Sequence, residues 1–148
     1  MSLFLVDAGR EWRESQRQVL YVAHELAKKG YSYHLVLERG GDLFRRASEE
    51  GLSTVPLPMH GRLGWLVRKN LVREMRERGC KLAHFHETFG AALGLAAAAT
   101  AQVPVRILSR PADSSPLDGR LPFPSIDAVI AGTDAVRSIL IRGGVALD

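Results

Sequence analysis

Two short loops carry most of the residues in this sequence that could do chemistry. The first runs from Asp7 to Trp12 and the second from His84 to Glu87, and each follows a short apolar run. We expect His86 to be the catalytic residue, because a neutral imidazole can donate a hydrogen bond to a substrate hydroxyl near neutral pH. If both apolar runs are parallel strands of one sheet, the loops meet at the crevice where such folds bind ligands.

The first loop has the features of an anion site. Gly9 lets the backbone approach a ligand closely, and the helix that follows would present unpaired N–H groups to a phosphate. Arg10, Arg13 and Arg17 could pair with a phosphate or a carboxylate, or the neighbouring glutamates could neutralise them. The dinucleotide fingerprint G-x-G-x-x-G is absent and only Glu38 is placed for ribose binding, which argues against a nicotinamide dehydrogenase.

The second loop also raises the question of a metal. His84 and His86 are two residues apart in a predicted strand, so their side chains point to the same face and could hold a metal together with Glu87. No second cluster supplies further ligands, and His84 could equally be a core histidine bonded to backbone, so we predict no metal site. The remaining histidines have no catalytic partner at a suitable spacing and are predicted to be structural: His24, His34 and His60.

The elements that would position these loops follow from the apolar pattern. Short apolar runs predict six strands: Leu3–Val6, His34–Leu37, Thr54–Leu57, Leu82–Phe85, Val105–Leu108 and Ala128–Ala131. Helical periodicity with terminal glycines predicts helices at Gln16–Lys29, Asp42–Glu50, Leu63–Arg78 and Thr88–Ala101, and one from an N-cap at Thr133 to Gly143. The alternation predicts an α/β fold, a Rossmann-like doubly wound parallel sheet of about six strands with helices on both faces, in one domain over residues 1–148.

Two segments outside the loops could contact a partner molecule. Pro111–Pro124 predicts an irregular surface loop, which is either a mobile lid or an ordered connection without a role. Residues 62–78 contain six of the basic residues and two glutamates, which equals the whole net charge of +4. Candidates to face an anionic membrane surface there are Trp65, Arg68, Lys69 and Arg73, and the alternative is a solvated basic face.

Composition argues against several other classes of protein. A single cysteine excludes an intrachain disulfide framework, and the apolar runs are too short for a signal peptide or a membrane span. We therefore expect a cytoplasmic protein, which could also bind peripherally at the inner face of the plasma membrane. Nucleic acid is not an expected partner, because no zinc-finger spacing or RNA-recognition signature is present.

Taken together, several segments resemble the N-terminal, acceptor-side domain of family 4 glycosyltransferases of the GT-B architecture, which pair two Rossmann-like domains around a cleft. The segments are Asp7-x-Gly9-Arg10-Glu11-Trp12 with Gln16-Arg17-Gln18, Gly51-Leu52-x-x-Val55-Pro56-Leu57, His84-x-His86-Glu87, Ser109-Arg110 and Ala131-Gly132-Thr133-Asp134-Ala135-Val136. The resemblance covers nearly the whole chain.

The resemblance implies a function and roles for residues. It implies the acceptor-binding domain of a glycosyltransferase that moves a hexose or heptose from a nucleotide sugar to a lipid-linked or polysaccharide acceptor. Gly9 would lie by the donor phosphates, His86 near the transferring sugar, and Arg110 at the crevice rim against the acceptor. Arg10, Arg17 and Glu87 complete the expected substrate-binding set.

The same resemblance implies that half of the enzyme lies elsewhere. Most contacts to the nucleotide sugar, which is a co-substrate rather than a tightly bound cofactor, would come from a C-terminal domain that this chain lacks. The isolated chain is therefore expected to be inactive. The alternatives are a stand-alone Rossmann-like module that binds a nucleotide or phosphate without catalysis, and a membrane-surface or protein-interaction domain that uses the basic helix.

Overall fold

The computed structural model describes residues 1–111 and 125–146, and within them it contains one sheet of six parallel strands. The spatial order is β3-β2-β1-β4-β5-β6. The strands are β1 Ser2–Asp7, β2 Tyr33–Glu38, β3 Thr54–Leu57, β4 Cys80–Phe85, β5 Val105–Arg110 and β6 Ala128–Ala131. Their apolar runs are short and continuous, as expected of strands that helices cover on both faces.

Five helices accompany the sheet in the described residues. They are α1 Glu14–Lys28, α2 Asp42–Glu49, α3 Gly64–Glu77, α4 Thr88–Thr100 and α5 Asp134–Arg142. The predicted N-cap of the last helix is confirmed, since the Thr133 hydroxyl accepts the Val136 N–H at 3.2 Å. The predicted surface loop at Pro111–Pro124 falls, apart from its first residue, outside the described residues.

Every predicted strand and helix is present, and the boundaries differ by one or two residues at most ends. The informative differences are at the carboxyl ends of three strands, where the sheet continues to Asp7, Glu38 and Arg110. The apolar runs stop before these residues. A backbone ladder does not depend on side-chain polarity, so the strands carry three polar side chains to the edge of the sheet.

The order in which strands are added reverses between β1 and β4, which confirms the doubly wound prediction. The chain first moves outward from β1 to β3, then returns to β4 and moves outward to β6. Right-handed crossovers place the two sets of helices on opposite faces. Leu5 packs with the apolar faces of α1 and α2, and Phe4 packs with those of α3 and α4. The ligand crevice of such a sheet lies at the carboxyl ends of β1 and β4.

Helix α4 lies against the sheet at a distance that only a small residue permits. A Cβ at Gly94 would overlap the ring of Phe85, which is fully buried on β4. The remaining buried positions of α4 are alanine, glycine and leucine. This close packing sets the position of the α4 N-terminus, which begins directly beside His86.

Candidate active-site crevice

Buried polar side chains collect at the carboxyl edge of the sheet. Asp7, Glu38, His86 and Arg110 are each exposed to 5% or less, and each ends or directly follows one of four neighbouring strands. Polar groups rarely stay buried without a structural partner or a functional reason. The two loops identified from the sequence therefore do meet, as predicted, at the carboxyl ends of β1 and β4, where the strand order reverses.

The loop after β1 is organised by Asp7. Its Oδ1 accepts the Gly9 N–H at 2.8 Å and the Gln16 Nε2 amide at 3.1 Å, and Gln16 Oε1 in turn accepts the Arg13 N–H at 2.9 Å. A Cβ at Gly9 would collide with the Gln16 amide. Glycine thus leaves room for the Gln16 amide to reach Asp7, and its predicted contact with donor phosphates stays a prediction.

Glu87 joins the two loops. Its Oε1 accepts the backbone N–H groups of Ala8, at 3.1 Å, and of Gly90, and its Oε2 accepts that of Phe89 at 2.7 Å. Burial, together with the nearby Asp7 charge, raises the pKa of the Glu87 carboxyl, and the three N–H donors oppose this rise. Both oxygens are used in capping α4 and holding the β1 loop, so any contribution of Glu87 to substrate binding would pass through the position of these loops.

The two histidines of the second loop face the same side of β4, as their spacing predicts. Their ring centroids are 3.9 Å apart with a 37° tilt. His84 Nε2 lies 2.7 Å from the Ser109 hydroxyl, so its partner is a side chain and not the backbone groups that we had considered. His86 Nε2 is buried and has no hydrogen-bond partner among the described residues.

Burial determines the charge of both imidazoles. It lowers the pKa of His84 to about 4, and burial with the neighbouring His84 holds the pKa of His86 well below its usual value. Both rings are neutral near pH 7, and each has one N–H donor and one acceptor nitrogen. His86 therefore presents an unused polar nitrogen at the crevice. In residues 1–111 and 125–146, no group of three histidine, cysteine or acidic side chains is placed to hold a metal.

The arginines in the first loop and at the start of α1 are paired with acids. Arg10 lies 3.6 Å from Glu38, Arg17 lies 3.5 Å from Glu14, and Arg13 lies 3.0 Å from Glu11. This is the arrangement of the neutralising alternative that the sequence left open. Arg10 and Arg17 remain about half or more exposed, so each can exchange its partner for a ligand anion, and the predicted role in substrate binding is untested.

Arg110 ends β5 at the carboxyl edge of the sheet and is buried there, and its contact with an acceptor stays a prediction. Its side chain is 3% exposed, and its Nη1 donates to the hydroxyl of Thr88 in the first turn of α4. Its carbonyl also accepts the Gly132 N–H at 2.8 Å. Residues at the end of an internal strand are covered by the helix that follows the neighbouring strand, which is why Arg110 is buried.

Sequence reasoning gave His60 no part in the crevice. The structure places its Nε2 2.7 Å from the Ala8 carbonyl oxygen and stacks its ring on Phe89, at 4.4 Å between centroids and 3° between planes. Glu38 positions this loop by accepting the N–H groups of Met59 and His60 at 2.7 and 3.2 Å. Glu38 is therefore a structural acceptor in this chain.

An exposed surface lies on α3 and on Leu63, the residue before it. We call it the α3 patch, and it consists of Leu63, Trp65, Arg68, Lys69 and Arg73. All five side chains are exposed, and Trp65 is exposed to 67%. The opposite side of α3 is part of the core, because Val67, Leu71 and Met75 are buried. None of the described helices is long and apolar enough to cross a membrane.

Solved structures share this fold. The Anabaena protein HepE, crystallised with UDP and glucose, matches with a TM-score of 0.76 at 16% identity over 99% of this chain and 42% of its own. MurG from Acinetobacter baumannii has a TM-score of 0.73 at 12% identity over 88% of this chain and 40% of its own. The lipopolysaccharide outer core galactosyltransferase WaaB has a TM-score of 0.72 at 11% identity, over 99% of this chain and 43% of its own.

The chain thus spans about two fifths of the length of each of these three proteins. At identities this low, the likeness shows a shared fold. No curated protein matches the sequence at a significant level.

The family model named Glycosyltransferase Family 4 matches residues 15–147, which is most of the sequence and includes His86, Glu87 and Arg110. The chain belongs to glycosyltransferase family 4.

Proposed function

We propose that this chain is the acceptor-binding domain of a glycosyltransferase that moves a hexose or heptose from a nucleotide sugar to a lipid-linked or polysaccharide acceptor. The observation that carries the proposal is His86, a buried neutral imidazole at the reversal of the sheet whose Nε2 has no partner in the described part of the chain. HepE, which shares the fold, was crystallised with UDP and glucose, and this supports a nucleotide sugar as the donor.

In this proposal His86 orients the transferring sugar. Its ring donates a hydrogen bond to a sugar hydroxyl and holds the anomeric carbon in line with the acceptor oxygen, which lowers the entropic part of the barrier. The bond from that carbon to the diphosphate oxygen breaks, a bond to the acceptor oxygen forms, and the proton of the acceptor hydroxyl passes to the leaving diphosphate. A second domain, outside this chain, would stabilise the charge on the leaving diphosphate.

The loops of the crevice prepare this arrangement before a ligand arrives. Asp7, Glu38 and Glu87 each accept at least one backbone N–H group from a loop at the carboxyl edge. Holding the loops in advance reduces the ordering that substrate binding would otherwise require. The arginines at the crevice can then exchange their glutamate partners for anionic groups of the substrate.

The test is sugar transfer by the protein that contains this chain together with its donor-binding domain. We expect His86→Ala to lower kcat by about 100-fold, the usual effect of removing a hydrogen bond made in the transition state. The matched control is His24→Ala, which removes a surface histidine paired with Glu50 on the far side of α1. Equal rates for the native protein and His86→Ala would refute the role of His86. Turnover by the 148-residue chain alone would refute the two-domain proposal, and tight nucleotide binding by it alone without turnover would favour the stand-alone module.

We further propose that the α3 patch holds the protein at an anionic membrane surface, such as the inner face of the plasma membrane, where a lipid-linked acceptor would be reached. Exposed Leu63 and Trp65 adjoin exposed Arg68 and Lys69, so apolar and cationic groups face one side. Aromatic and aliphatic side chains beside cations are typical of helices that lie in a lipid headgroup layer.

This part of the proposal is tested with vesicles that contain phosphatidylserine. The charge reversal Arg68→Glu with Lys69→Glu should weaken binding by about 30-fold or more, because each basic residue near an anionic surface contributes about 1 kcal/mol. The matched control reverses the charges of Lys28 and Lys29, an adjacent pair at the end of α1 on the opposite face of the sheet. Equal loss in both variants would show general charge attraction and contradict a specific patch.

A further inference from the structure

His84 on β4 and His86, directly after this strand, differ in their contacts. His84 Nε2 is bonded to Ser109 Oγ on β5, whereas Nε2 of the His86 ring, which lies 3.9 Å away between centroids, is buried without a hydrogen-bond partner among the described residues. We propose that Ser109 and His84 position His86: the hydroxyl holds the His84 ring in place, and the His84 ring sets the plane of the His86 imidazole. This inference rests on the proposed function, because positioning His86 matters to the reaction only if His86 meets the transferring sugar.

The strand register explains the direction of the bond. In the ladder of β4 and β5, His84 lies opposite Ile107, and Ser109 lies two residues further toward the carboxyl edge. The bond of 2.7 Å therefore runs diagonally and draws the His84 ring toward the crevice. Diagonal neighbours on one face of a sheet are within reach of long and aromatic side chains. Without this bond, the terminal torsion of a histidine has a broad distribution.

The backbone of His86 is held separately. Its N–H donates to the carbonyl oxygen of Val6 on β1 at 3.0 Å. Only the two side-chain torsions of His86 remain to be set, and the His84 ring packs against the imidazole at a tilt of 37°. The place of His86 is thus determined by β1, and the orientation of its ring by the neighbour that Ser109 restrains.

The charge of the two rings is consistent with this contact. Two imidazolium ions at this distance would repel each other, but burial lowers the pKa of both histidines, so the rings meet as neutral groups. A neutral His84 has one protonated nitrogen, and the Ser109 hydroxyl can pair with its Nε2 in either form, because a hydroxyl both donates and accepts. The Ser109 bond therefore restricts the torsion of the ring that His86 touches.

The first test is made without any sugar. Ring nitrogen resonances of the 148-residue chain, in native form and as Ser109→Ala, report the tautomers of both histidines by ¹H–¹⁵N NMR. We expect the His86 resonances to shift or broaden in Ser109→Ala and to return in Ser109→Thr, which restores the hydroxyl. The matched control is Ser53→Ala, which removes an equivalent bond of 2.8 Å to His34 on β2 and should leave His86 unchanged. If Ser109→Ala does not fold, Ser109→Cys removes the strong donor and keeps the volume.

The second test separates positioning from stability. In the active protein, Ser109→Ala should lower kcat by about 10-fold or more with the KM of the donor changed less than about twofold, since a small misplacement of a reacting group costs rate. Ser109→Thr should recover most of the rate. Unchanged His86 resonances or an unchanged kcat in Ser109→Ala would overturn the inference. Absence of transfer by the native protein would overturn the proposed function instead, and the NMR result would still decide whether Ser109 positions His86.

Discussion

Replacing Glu87 with alanine tests how the crevice is held together. The carboxylate caps α4 through Phe89 and Gly90 and also accepts the N–H of Ala8 in the β1 loop. Loss of a helix cap costs about 1 kcal/mol, and a buried N–H left without a partner costs about 1 to 3 kcal/mol. Removal of the buried charge, whose pKa burial raises, offsets part of this cost. We expect a net loss of about 2 kcal/mol near pH 7, which corresponds to about 4 to 8 °C in Tm for a chain of this size.

The assay is urea and thermal unfolding of the native chain and Glu87→Ala, followed by circular dichroism. The matched control is Thr133→Ala, which removes the cap of α5 but no bond to a second loop, and should cost about 1 kcal/mol. The pH gives a further check. A raised pKa in the folded state means that the native protein loses stability as the pH rises from about 4.5 through that pKa, whereas Glu87→Ala does not. The cost of the substitution should therefore be larger at pH 5 than at pH 8. A cost for Glu87→Ala no greater than that of Thr133→Ala would refute the bridging role.

Two further predictions concern the histidine pair and the packing of α4. His84 has a pKa of about 4 in the folded chain, so its own contribution to the free energy of unfolding should fall by about 3 kcal/mol as the pH drops from 6.5 to about 4. His84→Gln should show a smaller fall in urea titrations over that range, and equal pH slopes for the two proteins would contradict the neutral, buried state. Gly94→Ala should cost about 1 to 3 kcal/mol because the new methyl group overlaps the Phe85 ring. In the control Gly64→Ala, the methyl would lie 3.7 Å from Leu93, so thermal unfolding should show no loss of stability, and an equal loss in both variants would argue against the overlap.

The strands were predictable because each is a short apolar run between glycine or proline signals, and the helices because their apolar faces repeat at helical spacing. For three strands, the same criterion predicts a carboxyl end that lies one or two residues before the end in the structure. Asp7, Glu38 and Arg110 belong to the sheet through backbone hydrogen bonds, to which the polarity of a side chain is not a guide. These polar strand ends are also the residues that build the crevice.

His60 shows the limit of reading a site from spacing. It lies 52 residues from Ala8 in the chain, and the interval contains two crossovers. Only the order of the strands brings its loop back to the end of β1, where it stacks on Phe89. Glu87 shows the related limit for roles, because a glutamate next to a histidine suggests a ligand contact, whereas three backbone N–H groups here occupy its oxygens.

The sequence by itself determined the α/β class, the six strands, the same-face placement of His84 and His86, and the basic side of α3. These properties depend on local periodicity and on the alternation of side chains along a strand. The tertiary structure alone decided which polar groups are satisfied. It bonded His84 to Ser109, buried Arg110 under α4, paired the loop arginines with glutamates and left His86 Nε2 without a partner in the described residues. Hydrogen bonds of this kind join residues that are distant in the chain, so they exist only once the strand order and the crossovers have brought them together.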